Sequence, residues 1–93
     1  MSRIEIYTTR YCPYCVAAKS LLSRKGVEFT EIDVSGDAKG RSQMVARAKG
    51  RTTVPQIFIG STHVGGCDDL YALDQSGRLD ALPGKDAAVK PVD

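Results

Sequence analysis

Two cysteines, Cys12 and Cys15, stand three residues apart, directly after a strand-forming run and at the opening of a helix-forming one. The run Ile4-Glu5-Ile6-Tyr7 alternates apolar and polar residues, as a half-buried strand does. Pro13 suits a first helical turn, because its missing N–H would have no partner there anyway. Ala18, Leu21 and Leu22 then share one face at helical spacing, with Cys15 one turn earlier. Gly26 after the basic pair Arg24-Lys25 is a stop signal, so the spacing predicts a helix over residues 13–25.

The same periodicities organise the rest. Val27 to Val34 reads as a second strand, and Ser35-Gly36-Asp37 as a turn. Arg41 to Lys49 carries Met44, Val45 and Ala48 at helical spacing, closed by Gly50. Pro55 to Ile59 reads as a strand, Gly60-Ser61-Thr62 as a turn, and His63-Val64 as a return strand ending in Gly65-Gly66. Asp68 to Ser76 reads as a third helix, terminated by Gly77. The order β-α-β-α-β-β-α implies an α/β domain: a mixed four-stranded sheet flanked by three helices, with a parallel crossover pair and an antiparallel hairpin. The domain is expected over residues 1–83, with residues 84–93 as a flexible tail.

Composition narrows the function. A chain of 93 residues suits one domain. Its net charge of +2 is weak and dispersed, which does not favour nucleic acid or membrane partners. No apolar run approaches a spanning helix, and Glu5 comes too early for a signal-peptide core, so a cytoplasmic location is expected. Three cysteines, an odd number, make a poor disulfide framework. In a reducing compartment a close pair is more often redox-active, catalytic or metal-binding. Zinc would need two further ligands, from Cys67, His63 or carboxylates, and no second Cys-x-x-Cys exists, so no metal site is expected.

The pair is suited to thiol–disulfide exchange. One helical turn lets the sulfurs meet or separate with little backbone movement. The N–H groups and dipole of a helix start favour negative charge at Cys12, and the thiolate is the attacking species. Arg10 and Lys19 add positive charge nearby. Cys15, a turn inside the helix, is expected to be more buried and to act as the resolving thiol. His63 has no partner for a Cys–His hydrolase arrangement and is read as a surface residue.

Cys12-Pro13-Tyr14-Cys15, Thr53-Val54-Pro55 and Gly65-Gly66-Cys67-Asp68-Asp69, in that order and spacing, closely resemble the motifs of bacterial dithiol glutaredoxins, from about Arg3 to Leu82. The resemblance implies a thioredoxin-like fold with Pro55 as its cis-proline, presenting the Val54 backbone to a peptide-like substrate. It implies a glutathione site in which Gly65 and Gly66 let the backbone approach closely, the backbone at Cys67-Asp68 holds the γ-glutamyl carboxylate, and Asp69 meets the ammonium group. Tyr14 and Thr53 are expected along the same groove. The glycyl carboxylate needs a cation, which many family members supply as a lysine three residues before the first cysteine. Here Thr9 holds that position, leaving Arg10 and Arg51 as the candidates, while Arg47 is not included.

The implied activity is glutathione-dependent reduction of protein–glutathione mixed disulfides and protein disulfides, in the service of cell redox homeostasis. Glutathione is a co-substrate and no cofactor is bound. The implied partners are glutathione and glutathionylated or disulfide-containing proteins, ribonucleotide reductase among them, and the implied state is a monomer. Two other readings exist: a thioredoxin-reductase-coupled redoxin, against which the Asp68-Asp69 loop weighs, and a dimer holding an iron–sulfur cluster through Cys12 and glutathione, against which Pro13 weighs.

Overall fold

A computed structural model describes residues 3–78. The elements run β1 Ile4–Thr8, α1 Pro13–Arg24, β2 Thr30–Asp33, α2 Ala38–Arg47, β3 Gln56–Ile59, β4 Thr62–Gly65 and α3 Cys67–Gln75. The sheet order is β2-β1-β3-β4, with β1 parallel to β2 and antiparallel to β3, and β3 antiparallel to β4. Element order and sheet type agree with the sequence expectation. The expected tail, residues 84–93, lies outside the described residues.

The alternation of β1 and β3 builds two cores, one on each face of the sheet. Ile4, Ile6 and Ile57 pack with Ala18, Leu21 and Leu22 of α1 and with Cys67 and Leu70 of α3. Tyr7 and Phe58 pack on the other side with Val34 and with Met44 and Ala48 of the α2 segment. Cys12 and Cys15 are thus carried by a helix anchored to the central strands.

Three boundaries differ from expectation by two residues or more. The second strand begins at Thr30 rather than Val27, because the chain before it closes α1: Gly26 N–H donates to Ser23 O (3.0 Å) and Val27 N–H to Leu22 O (3.1 Å). With Gly26 at φ 70° this is a Schellman motif, and Val27 is its buried hydrophobic plug. The second helix begins at Ala38 rather than Arg41, because the Asp37 carboxylate caps it by accepting from Gly40 N–H at 2.9 Å. It ends at Arg47 because Lys49, at φ 57°, takes the left-handed position, and Gly50 N–H reaches back to Val45 O at 3.0 Å. α1, β3 and α3 lie within one residue of their expected limits.

Candidate active site

Cys12 is the N-cap of α1, in extended conformation, and its Sγ accepts a hydrogen bond from Cys15 N–H at 3.1 Å. A sulfur there faces the first unpaired N–H groups of the helix, the arrangement that favours an anion. Cys12 is half-buried, Cys15 is buried, and both are free thiols. Burial, together with the hydrogen bond to Cys12, pushes the Cys15 thiol up to about 12. The Cys67 thiol is also pushed up, first by burial and then by Asp68 and Cys12. Brief iodoacetamide treatment of the reduced protein at about pH 8 should therefore label Cys12 alone, since only thiolates alkylate rapidly. Peptide mapping checks this, and equal labelling of Cys15 would contradict the inequality of the two thiols.

The Val54–Pro55 peptide bond is cis. Cys12 Sγ lies 3.9 Å from the Val54 carbonyl oxygen, within reach of a weak thiol hydrogen bond. Val54 belongs to a groove of about 440 Å³. Tyr14, Arg51, Thr53, Val54 and Pro55 line one part of it, and Gly66, Cys67, Asp68 and Asp69 at the start of α3 line the rest. Nine residues expected at the site from sequence thus share one cavity, and Cys12 joins them through Val54.

Its charges are ordered. Asp69 Oδ2 accepts from Gly66 N–H at 2.9 Å and from Arg51 at 3.1 Å. The Gly66 N–H first, and Arg51 next, hold the Asp69 carboxyl below its usual range. Arg51 and Asp69 are each about half exposed (47% and 47%), so the ion pair remains open to an incoming charged group. Gly65 makes room for them: at φ 122°, any Cβ there would run into the Asp69 carboxylate and the Arg51 guanidinium.

Arg10 stands apart, in a separate concavity with Thr9, Tyr11, Ser35 and Gly36, its N–H donating to Ser35 Oγ at 2.7 Å. Lys19 is engaged by Glu31 at 2.9 Å, and Thr8 donates to the same Glu31 oxygen at 2.7 Å. His63 is not a surface residue as expected: it is half-buried and stacks on Phe58, with centroids 4.9 Å apart and planes at 24°. Gln56, fully buried in β3, and Arg47, paired with Glu5 at 3.0 Å, also escaped sequence reasoning. A polar residue opening the apolar run Ile57-Phe58-Ile59 was the available signal for Gln56.

Comparison with known proteins gives one answer. The family model described as Glutaredoxin matches residues 4–64. The chain is 60% identical over 82 residues to Glutaredoxin 3 of Escherichia coli strain K12, covering 88% of this chain and 98% of that protein. The solution structure of a glutaredoxin from Brucella melitensis superposes with a TM-score of 0.78 at 54% identity, covering 99% of this chain and 96% of that one. The crystal structure of a buckwheat glutaredoxin–glutathione complex superposes with a TM-score of 0.80 at 27% identity, covering 96% and 83%.

Proposed function

The chain belongs to the glutaredoxin family of thiol oxidoreductases, and from that premise we propose that it reduces protein–glutathione mixed disulfides and protein disulfides with glutathione as co-substrate. The observation that carries this reading is the approach of Cys12 Sγ to the Val54 carbonyl, which supports a sulfur that attacks beside a backbone edge able to pair with a peptide. A volume of about 440 Å³ lies within the range of small-molecule sites, about 300–1,000 Å³. Its opposite charges suit a zwitterionic peptide: the helix N–H groups of Cys67 and Asp68 for the γ-glutamyl carboxylate, Asp69 for the ammonium group and Arg51 for the glycyl carboxylate. The buckwheat glutaredoxin bound to glutathione supports the same ligand here.

In the proposed reaction the Cys12 thiolate attacks the glutathione sulfur of a mixed disulfide. The Cys12–glutathione disulfide forms, the old S–S bond breaks, and the protein thiolate leaves. A second glutathione thiolate then attacks that sulfur, releasing oxidised glutathione and regenerating Cys12. With protein disulfides, the Cys12 thiolate attacks one sulfur, the protein S–S bond breaks, and the other protein sulfur leaves as a thiolate. Cys15 then loses its proton and attacks Cys12, the Cys12–protein bond breaks, and the second protein sulfur leaves and takes up a proton; two glutathiones then reduce the Cys12–Cys15 disulfide and depart as oxidised glutathione. No bound cofactor takes part. The proposed setting is a cytoplasmic monomer acting on glutathionylated or disulfide-bonded proteins, ribonucleotide reductase among the candidates.

The Cys15→Ser variant separates the two routes. Deglutathionylation of a peptide should stay within about threefold of wild type, while reduction of a protein disulfide falls at least about a hundredfold, because only the second route needs a resolving thiol. Coupled assays with the two substrates check this. Equal loss of both activities would contradict the scheme.

A further inference from the structure

Both polar atoms of the buried Gln56 side chain have hydrogen-bond partners. Its Nε2 donates to the Thr53 carbonyl at 2.9 Å and lies 3.2 Å from Thr53 Oγ1. Its Oε1 lies 2.7 Å from His63 Nε2. Only one amide orientation satisfies both sides, since a carbonyl must receive a donor. Nε2 of Gln56 therefore faces Thr53, Oε1 accepts, and His63 donates from Nε2.

The Thr53 carbonyl is one end of a planar peptide unit whose other end is the Val54 N–H. This unit is trans, since the cis bond is the next one. Its N–H therefore points away from its C=O. Holding the Thr53 oxygen inward on Gln56 turns the Val54 N–H outward. Pro55 has no N–H, so the Val54 N–H is the last backbone donor before β3.

The support extends behind His63. Its ring lies against Phe58, and the Arg47 guanidinium caps the same Phe58 ring at 4.1 Å. Arg47 is itself held by Tyr7 OH at 2.9 Å and Glu5 at 3.0 Å. Burial first, then Arg51 and Lys49, hold the His63 imidazole below its usual range against the opposing pull of Asp69, consistent with a neutral ring that donates from one nitrogen.

We infer that Gln56 is a positioning residue for substrate binding, oriented by His63, which aims the Val54 N–H at the backbone of a glutathione-like peptide by pinning the Thr53 carbonyl. This rests on the proposed glutathione reading for the identity of the ligand, but the hydrogen-bond chain itself does not. Gln56→Glu keeps the side-chain shape and can still accept from His63, but opposes an acceptor to the Thr53 carbonyl. His63→Phe keeps a ring on Phe58 and leaves the Gln56 amide unheld.

The test uses the full chain and a glutathionylated peptide. Gln56→Glu should raise KM for the peptide about tenfold, the scale of one hydrogen bond, with kcat within about twofold. His63→Phe should raise KM about threefold, and both variants should keep the wild-type rate of Cys12 alkylation, on the same reasoning. The chain has one histidine, so nitrogen NMR of the wild type reads its ring directly, and a neutral ring protonated at Nε2 is expected. A ring protonated at Nδ1 alone, or a folded variant of either kind with unchanged KM, overturns the inference. If Gln56→Glu fails to fold, His63→Phe and the ring spectrum still decide it. Wild-type protein without glutathione-coupled turnover, but with the Nε2–H ring, would instead overturn the glutathione reading and leave the hydrogen-bond chain standing.

Discussion

Replacing Cys12 by serine should lower glutathione-coupled turnover by at least about a thousandfold, because a hydroxyl is neither ionised at neutral pH nor able to exchange with a disulfide. The loss should be chemical rather than structural. Position 12 is the N-cap of α1 and accepts from Cys15 N–H, and serine is among the best residues for that role. The variant should therefore melt within a few degrees of wild type, on the order of what a retained cap allows. Turnover and thermal unfolding measured on the same preparation check both halves. Activity within tenfold of wild type would contradict the role of Cys12, on the usual scale for loss of an attacking group.

Truncating Phe58 to alanine should cost about 3–5 kcal/mol, the usual range for a buried aromatic, out of a total of about 5–15 kcal/mol for a domain of this kind. Phe58 is 2% exposed and is central to the α2 side of the sheet. Tyr7 meets it edge-on, with centroids 5.7 Å apart at 79°, while His63 stacks on it and Arg47 sits over it. Removing the ring takes contacts from all three and opens a cavity beneath Arg47. Phe58→Leu should recover more than half of the loss, because it refills most of that volume. Urea unfolding of the two variants checks this. A cost below about 1 kcal/mol for alanine would show that the site collapses without penalty, contrary to a close-packed core.

Much of this was legible in the sequence because its signals are local. A cysteine at a helix opening, a proline one residue later, and alternating isoleucines in β1 each encode conformation within a few residues. The groove was legible for another reason: Thr53-Val54-Pro55 and Gly65 to Asp69 are short motifs whose resemblance to a family implied that they meet. The misplaced boundaries share one cause. Val27 and Asp37 look like strand and turn residues, but their backbone or side chain closes a neighbouring helix. Whether such a residue ends one element or begins the next depends on where the orphan helix groups find partners.

The polar network was illegible because its members are scattered. Arg47, Gln56 and His63 come together only once α2, β3 and β4 are in place. A bulge contributes: His63 pairs with Phe58 while Ile57 pairs with Gly65, so β4 carries one extra residue. Simple alternation does not predict that shift. The ion pair between Arg51 and Asp69 was hidden for the same reason, although each residue alone was a site candidate.

The central claim is that Cys12 takes the glutathione half of a mixed disulfide. The most direct measurement treats the Cys15→Ser variant with a glutathionylated peptide, quenches with acid and maps the adducts by mass spectrometry. The account predicts one adduct, glutathione alone on Cys12. Peptide rather than glutathione on Cys12, or glutathione on Cys67 with Cys12 free, would contradict it.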